Sequence, residues 1–392
     1  MTSKVVVSPQ GPSLSKLSGL LREMGQELED SAVVSSGQRL SQERVPGVDS
    51  SVPRAWPQQQ LRLCAEFGVF SWFIPKEYGG LGWSGDDVVR GYLQLSAACL
   101  TTSFVITQRV AAIQRIITSN NDELKSKLLP KLATGELSAT VGISHLTTSR
   151  RHLKKPVLRA VKNSTGYKID GFSPWGTGGF AADYVVMGAV VVDEDDAGTE
   201  NQLLFALPTQ REGVSIPEGQ SLVGLSASQT GPVHCDGVQI DPSDLLLPPM
   251  PSVLTADVGR AVGTGSGGLQ TSSLALGLAT EAIQFIQTQS KGRPELQDAG
   301  PALAQQLETV RESLLRLAAG DPDCDRQQLR ADANSLVLRA TQSALVAAKG
   351  AGFVSGHPAG RWCREALFFL VWSCPQPVLD ASLCELVGTQ GA

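Results

Sequence analysis

The spacing of apolar residues changes twice along the chain. Near the start, apolar side chains recur at three- and four-residue steps and predict a helix with one apolar face: Leu14, Leu17, Leu21, Met24 and Leu28. The stretch "GDDVVRGYLQLSAACLTTSFVITQRVAAIQRIITS" predicts a buried pair of helices, and "NNDELKSKLLPKLATGEL" predicts a short capped helix that runs into a turn. The first part of the chain is therefore predicted to be helical.

From about Leu137 the pattern becomes that of strands. Short β-branched segments such as "GYKIDGF", "ADYVVMGAVVV" and "GPVHCDGVQI" are separated by Gly, Pro and Asp turns, which is typical of a compact antiparallel β domain. After a glycine-rich connector, apolar residues return to helical spacing. This order predicts an α+β multidomain protein with an N-terminal α-helical domain at residues 1–137, a middle antiparallel β domain at 138–250 and a C-terminal α-helical domain at 251–392.

Composition narrows the class of function. The 392 residues carry a net charge of −5, which argues against a general nucleic-acid binder because phosphate backbones require a broad positive surface. Seven cysteines without a C-x-x-C pair argue against a structural zinc site and favour a reducing compartment. The start lacks a secretory pattern and the longest apolar runs are too short for a bilayer, so we expect a cytoplasmic protein that is not in the membrane.

Two local signals have more than one interpretation. Six cations lie within residues 150–162, including Arg150 and Arg151, and they either clamp a phosphorylated ligand or form a solvated face. A G-x-G-x-x-G motif at residues 263–268 would indicate dinucleotide binding if it followed a strand, but no parallel-strand run precedes it. The motif therefore predicts a flexible entry to a helix.

The stretch "FSPWGTGGF" at residues 172–180 places Trp175 and Thr177 on a glycine-rich backbone. Glycine permits positive φ and close approach of the main chain to a ligand. The stretch thus predicts a turn at the end of a strand that lets a flat group come near. A turn whose tryptophan only fills the core is the alternative.

Five collinear segments, spread over roughly residues 60–385, resemble the acyl-CoA dehydrogenase family. They are "FIPKEYGGLGW", "LLPKLATGELSATVGISH", "GYKIDGFSPWGTGGFAADYVVM", "VGLSASQTGPVHCDGVQIDPSDLLL" and "KGAGFVSGHPAGRWCREA". They are similar to the family's Y-G-G-x-G signature, the stretch that leads to T-E-P, the G-x-K-x-W-I-T element, the hairpin that closes the β domain, and G-G-x-G-F followed by Y-P-x-x-R-x-x-R-D. The resemblance implies an N-terminal helical domain, a middle β domain and a C-terminal four-helix bundle that holds FAD.

The resemblance also implies which residues contact the flavin. Trp175 matches the residue that packs on the flavin, and Thr177 matches the one that hydrogen-bonds its N5 edge, as a flat hydride acceptor requires. Arg293 matches an arginine that reaches the FAD of a neighbouring subunit, so a homodimer or homotetramer is expected. The other positions implied to contact FAD are Val141, Ile143, Ser144, Gly350 and Gly352.

The chain departs from the family at the catalytic base. The family glutamate, which removes an α proton from a thioester, falls on Ser373, and the position that some members use instead falls on Gly267. The remaining candidates for a base are His145, His357 and Asp380.

Other family elements are altered as well. "SHLTTSRR" replaces the T-E-P element, so Arg150 and Arg151 are expected on a remodelled substrate side. "PEL" replaces the F-G element after Arg293, and Ser226 replaces the hairpin arginine. These replacements change the elements that hold FAD between subunits in the family.

Three functions remain open. The first is an FAD-dependent oxidoreductase that acts on the CH–CH bond of an acyl-CoA or a related small-molecule substrate. The second is a flavin-dependent monooxygenase of the same fold, with a flavin reductase as partner, because such enzymes activate oxygen at reduced flavin and do not need the α-proton base. The third is a flavin-binding or empty scaffold without turnover.

Overall fold

The computed structural model describes residues 13–25, 27–28, 55–147, 156–193, 198–254 and 269–388. Within these ranges, a set of helices is followed by a β-sheet and then by a second set of helices. This order confirms the α+β fold class predicted from the hydrophobic pattern. The three domain limits remain predictions.

The N-terminal helices pack around leucines that recur at helical spacing. Leu14, Leu17 and Leu21 are fully buried. Ser84 caps the third helix by accepting a hydrogen bond from the Asp87 amide at 3.2 Å. The helices are α1 (residues 13–25), α2 (Gln58–Glu66), α3 (Gly85–Ala98), α4 (Leu100–Ile117) and α5 (Asp122–Thr134).

The middle of the chain forms one sheet. Its strands are β1 (Ala139–Gly142), β2 (Leu158–Lys162), β3 (Tyr167–Thr177), β4 (Tyr184–Val192), β5 (Gly198–Pro208), β6 (Val214–Ser215), β7 (Thr230–Ile240) and β8 (Leu245–Pro251). The strand order is β6-β7-β3-β2-β4-β5-β8, and β1 pairs with β4. A single turn of helix, α6 (Ser144–Thr147), follows β1.

The sheet is mixed rather than wholly antiparallel, which corrects the expected pairing. β1 and β2 both run parallel to β4. The pairs β2/β3, β3/β7, β4/β5, β5/β8 and β6/β7 are antiparallel. Side chains alternate with a period of two in both kinds of pairing, so the sequence pattern does not distinguish them.

The C-terminal helices are α7 (Leu269–Gln289), α8 (Ala299–Ala318), α9 (Arg326–Ala348), α10 (Pro358–Ala366) and α11 (Gln376–Val387). α7, α8 and α9 pack on one another and α11 packs on α9, so four helices form the expected bundle. α7 also packs on α3, where a Cβ on Gly277 would lie 1.8 Å from the Ser96 hydroxyl oxygen. Only glycine permits this approach, which joins the two helical regions into one apolar core.

A second core lies between β1, β4 and β8 on one side and α4 and α5 on the other, and a third lies on the opposite part of the sheet. The part of the chain that the structure describes contains no helix long and apolar enough to cross a membrane. In the same residues, no group of three or more His, Cys, Asp or Glu side chains is arranged to hold a metal ion.

Candidate flavin site

The stretch 172–180 divides between strand and turn: β3 runs to Thr177 and includes Trp175, and the predicted turn begins only after it, at Gly178. Gly178 has φ +63, and a Cβ there would lie 2.3 Å from the Trp56 ring, so only glycine fits. The register of β3 against β7 shifts between Ser173 and Gly176. Trp175 lies within this irregular segment and its side chain is 39% exposed, so it does not fill the core.

Three hydroxyl groups meet behind the turn. Thr177 lies opposite Thr230 in the β3/β7 register, and their Oγ1 atoms are 3.0 Å apart. The Thr230 Oγ1 lies 2.8 Å from the Ser228 Oγ. Thr140 on β1 donates to the Thr177 carbonyl at 2.8 Å. All four residues are buried, so the turn rests on a connected set of polar contacts inside the domain.

Gln229 fixes the turn to two other segments. It is buried, and its φ of +49 is rare for a residue other than glycine. Its carbonyl accepts from the Gly178 amide at 3.1 Å, and its side chain donates to the Ala55 carbonyl at 3.1 Å and accepts from the Gly219 amide at 3.2 Å. The turn is therefore tied to the segment that precedes α2.

On the β1 side of the turn, main-chain groups rather than side chains are available to contact a ligand. Val141 and Ile143 are buried in the second core, between the sheet and α4 and α5. Ser144 begins α6 and is half-buried. Any ligand contact from Val141 or Ile143 would thus come from their backbone. Nearby, the fully buried Ser173 Oγ has no hydrogen-bond partner in the part of the chain that the structure describes, and it lies 3.3 Å from where a Cβ on Gly142 would be.

His145 is held in the domain interior. It is 6% exposed, and its Nε2 donates to the Gly188 carbonyl on β4 at 2.8 Å. Burial lowers the pKa of His145 to about 4, so the ring is neutral at pH 7. Its Nδ1 is buried and has no hydrogen-bond partner among the residues described. The structure places His145 as a group that ties α6 to β4.

The loop that carries Ser373 runs from the end of a short 3-10 helix at Leu367–Leu370 to α11. Ser373 is half-buried with φ +47. From α9, Asn334 donates to the Phe369 carbonyl at 3.0 Å and Arg330 donates to the Trp372 carbonyl at 2.9 Å. Burial lowers the pKa of Arg330 to about 10, which leaves it charged at pH 7.

Aromatic rings fill the space beside this loop. Phe368 and Trp372 stack with ring centroids 4.9 Å apart and an interplanar angle of 15°. Phe104 of α4 packs edge-on against both, with centroid distances of 4.7 and 5.1 Å. The surroundings of Ser373 are therefore aromatic on the α4 side.

The other two base candidates have structural contacts. His357 caps α10 by accepting from the Ala359 amide at its Nδ1, at 3.2 Å. Asp380 lies exposed on α11, where its Oδ1 accepts from Gln376 at 2.7 Å. The structure does not bring His145, His357 and Asp380 together.

Arg293 and the two predicted glycines do come together, at the end of α9. Arg293 donates to the Ala347 carbonyl at 2.6 Å and to Glu295 at 3.2 Å. Lys349 has φ +54, and its Nζ lies 3.9 Å from the Glu295 Oε1. Next to it, Gly350 faces open space, whereas a Cβ on Gly352 would lie 2.7 Å from the Ala348 Cβ. The guanidinium is thus already paired within its own chain.

Arg150, Arg151 and Gly267 lie outside the described residues. The sequence reasoning missed four residues that shape the turn: Trp56, Ser228, Gln229 and Thr230. The hydroxyl-rich segment "SASQT" of the hairpin is the signal that could have directed attention to three of them. Trp56 gives no such signal, because its contact with Gly178 spans more than a hundred residues of sequence.

Comparisons with known proteins agree with this architecture. Residues 29–136 match the model of the acyl-CoA dehydrogenase N-terminal domain. A probable acyl-CoA dehydrogenase of Mycobacterium leprae, fadE25, is 24% identical over 328 residues, which cover 79% of this chain and 82% of that protein.

Two solved structures share the fold at 18% identity. Glutaryl-coenzyme A dehydrogenase with glutaryl-CoA superposes with a TM-score of 0.74 and covers 97% of each chain. FMN-bound TdsC of Paenibacillus sp. A11-2, a dibenzothiophene monooxygenase, superposes with a TM-score of 0.74 and covers 96% of each chain.

The fold and site define a class of α+β protein in which two helical regions flank a sheet that carries an aromatic and hydroxyl-bearing turn. Within that class, the chain is similar to acyl-CoA dehydrogenases, in sequence over its N-terminal part and in fold over most of its length.

Proposed function

We propose that the chain is a flavin-dependent oxidoreductase with acyl-CoA dehydrogenase architecture. The observation that carries this proposal is the end of β3, where Trp175 is exposed two residues before the buried Thr177, whose hydroxyl group contacts Thr230. An aromatic wall supplies dispersion to a flat ring system, and a polar group beside it can meet the ring atom that accepts hydride. The family relationship supports the same cofactor.

The residues of the turn fit the ring half of a flavin. The buried Ser173 Oγ has no hydrogen-bond partner within the described ranges, and the glycines at 176 and 178 keep the backbone free of side chains. Trp175, Thr177 and the main chain at Val141, Ile143 and Ser144 would hold the ring. When bound, the flavin supplies the two-electron redox chemistry of the reaction.

FAD is the flavin that the family implies, and Arg293, Gly350 and Gly352 would hold its dinucleotide half. These three residues support the proposal because they are neighbours in the structure. At the same place, Arg293 donates to Glu295 of its own chain, and Lys349 has a positive φ. Arg150 and Arg151 remain proposed substrate contacts, and a cytoplasmic location remains a prediction.

The substrate proposed first is an acyl thioester or a related small molecule. Removal of an α proton needs a group of suitable pKa against the substrate, and Ser373 cannot supply it unaided. His145 is buried and hydrogen-bonded to Gly188, and His357 caps a helix. We therefore propose that the chain lacks the usual dehydrogenase base.

A flavin-dependent monooxygenase is the second candidate, and one observation favours it. The stacked Phe368 and Trp372 rings, with Phe104 across them, give the Ser373 loop an aromatic neighbourhood without a titrating side chain at 373. Oxygen activation at a reduced flavin needs no α-proton base, and it would require a flavin reductase as partner. A flavin-binding scaffold without turnover is the remaining alternative.

Absorbance of the purified protein tests the main proposal. We expect a flavin band with about one flavin per chain, and chromatography of the released cofactor would identify it as FAD or FMN. Reduction of the band by an acyl-CoA would select a dehydrogenase, whereas rapid reoxidation by oxygen with substrate hydroxylation would select a monooxygenase. Protein that is colourless and takes up neither FAD nor FMN would contradict the proposal.

We also propose a homodimer or homotetramer formed through the C-terminal helices. Large apolar side chains are exposed on these helices and their connections: Phe353 is 88% exposed and Val371 76% exposed, and the others are Val346, Val354, Leu379, Leu383, Leu386 and Val387. Patches of this kind mark interaction surfaces. Light scattering should show an oligomer that Leu383→Asp weakens, and a wild-type monomer at micromolar concentration would contradict it.

A further inference from the structure

The contacts behind the turn form a chain of three hydroxyl groups, which we call the hydroxyl chain: Ser228, Thr230 and Thr177. The two oxygen–oxygen distances are 2.8 and 3.0 Å. Two residues apart in an extended strand, side chains are separated by about 6.7 Å. The left-handed conformation of Gln229 brings the Ser228 and Thr230 hydroxyl groups much closer than that.

Counting donors shows that this chain is incomplete by itself. Each hydroxyl group donates one hydrogen bond and can accept two. Three donors share two contacts, so one O–H is left over whichever way the hydrogens point. A buried donor without an acceptor is unfavourable, so one end of the hydroxyl chain needs a further acceptor.

The position of each residue decides which donor is left over. Ser228 is fully buried, and among the described residues its hydroxyl group has no hydrogen-bond partner other than Thr230. Thr230 lies between the other two hydroxyl groups. Thr177 is the last residue of β3, at the turn that carries the exposed Trp175. Only a left-over donor on Thr177 can be satisfied by a ligand at the turn.

We infer that Ser228 and Thr230 are positioning residues that point the Thr177 O–H at an acceptor atom of the bound flavin. Ser228 donates to Thr230 and Thr230 donates to Thr177, which leaves the Thr177 hydrogen for the ligand. This inference rests on the proposed function, because it places the flavin ring at the turn. It assigns a role to two residues that do not touch the ring.

The direction of the hydroxyl chain has a redox consequence. N5 of an oxidised flavin carries a lone pair and accepts a hydrogen bond, whereas N5–H of the reduced ring donates one. A Thr177 group that is set to donate therefore favours the oxidised flavin. To accept from N5–H, the Thr177 hydroxyl group must turn its hydrogen away from the ring. That hydrogen then either stays unpaired beside the Thr230 donor, or the hydroxyl chain reverses and leaves the buried Ser228 O–H without an acceptor.

Replacing Thr230 tests the inference through the flavin's midpoint potential. Thr230→Val keeps the shape but removes the donor that fixes Thr177, so the Thr177 hydrogen can rotate away from the ring without meeting the Thr230 hydrogen. We expect the preference for oxidised over reduced flavin to fall about tenfold, which raises the midpoint potential of the two-electron couple by about 30 mV. Thr230→Ser keeps the hydroxyl group and should retain the wild-type potential and absorption spectrum.

Thr341→Val is the matched control, because Thr341 is a fully buried threonine of α9 whose hydroxyl donates to Val337 at 2.8 Å. It should leave the potential unchanged. Loss of flavin from Thr230→Val alone, with retention in Thr230→Ser and Thr341→Val, would also support the inference.

An unchanged potential in flavin-loaded Thr230→Val would overturn the inference and leave the proposed function intact. An equal change in Thr230→Ser would overturn it too, because the effect would then come from packing. Wild-type protein that binds no flavin would overturn the proposed function itself, and the inference with it.

Discussion

The turn at Thr177 and the loop at Ser373 are both fixed by buried hydrogen bonds, but they differ in chemistry. At the turn, side-chain hydroxyl groups contact one another and Gln229 holds the backbone. At the loop, Asn334 and Arg330 hold only main-chain carbonyl groups, and the neighbouring side chains are aromatic. The first region has polar side chains that can hydrogen-bond the edge of a ring. The hydrogen bonds of the second region only stabilise the loop itself.

This difference shows how the fold divides its tasks. The groups proposed to bind the flavin lie on the sheet, whereas the family position of the base lies on a connection between C-terminal helices. Because the two elements are far apart in sequence, substitutions can remove the base without disturbing the turn. The chain is therefore proposed to have a flavin site but no base that removes an α proton.

Restoring a carboxylate at the loop should have the largest effect. Ser373→Glu is expected to raise acyl-CoA oxidation with an artificial electron acceptor above the wild-type background by about 10²- to 10⁴-fold, the usual contribution of a positioned base. Ser373→Gln is the matched control, because it carries a similar side chain on the same positive φ without a base. Equal activity in Ser373→Glu and Ser373→Gln would show that a carboxylate at this loop does not act as the base.

The interior location of His145 predicts a pH dependence of stability. Its folded pKa of about 4 lies below the ordinary 6.5, so the unfolded chain binds a proton between these values that the folded chain does not. The stabilisation is complete above pH 6.5 and is lost as pH falls toward 4, by about 3 kcal/mol in all.

Urea unfolding at several pH values would measure this loss. His145→Gln replaces the ring with a side chain that does not titrate, and its stability should fall less over the same range. Identical pH profiles for the two proteins would show that His145 titrates freely, which would return it to the list of candidate bases.

The anchoring of the Ser373 loop predicts a smaller effect. Asn334→Ala leaves the Phe369 carbonyl without its donor and should lower the free energy of unfolding by about 1–3 kcal/mol. Gln328→Ala, on an exposed part of the same helix, should change it by less than about 0.5 kcal/mol. Equal effects would mean that the loop is not held as described.

The smallest expected effects are on flavin affinity at the turn. Thr177→Val should lose one hydrogen bond of about 0.5–1.5 kcal/mol, which corresponds to a 2- to 10-fold weaker flavin. Trp175→Ala should lose a stacking contribution of similar size. Fluorescence titration of deflavinated protein would measure both, and unchanged affinity in both would show that the flavin does not bind at this turn.

The sequence predicted the order of helices and strands because the period of apolar residues changes from about 3.6 to 2 and back. It also pointed to Trp175 and Thr177, since an indole and a hydroxyl on a glycine backbone are visible locally. The partners of these residues were not predictable in the same way. Thr230 meets Thr177 only through the β3/β7 register, and the φ of Gln229 depends on contacts with Ala55 and Gly219.

Burial was the other property that the pattern did not reveal. His145 follows β1 in a polar stretch, yet it packs against β4 across a parallel pairing that alternation alone does not indicate. Similarly, the contact of Arg293 with its own chain at Ala347 depends on how α9 ends. Both facts change the interpretation of a residue chosen by its position in a motif.

An anaerobic titration of the flavin-loaded wild type with butyryl-CoA and octanoyl-CoA tests the central claim most directly. The account predicts that the flavin absorbance stays unchanged, because no base is positioned at Ser373, while dithionite bleaches the same sample fully. Rapid bleaching by either acyl-CoA that is lost in a His145, His357 or Asp380 variant would contradict the account, since it would show that the chain has a dehydrogenase base.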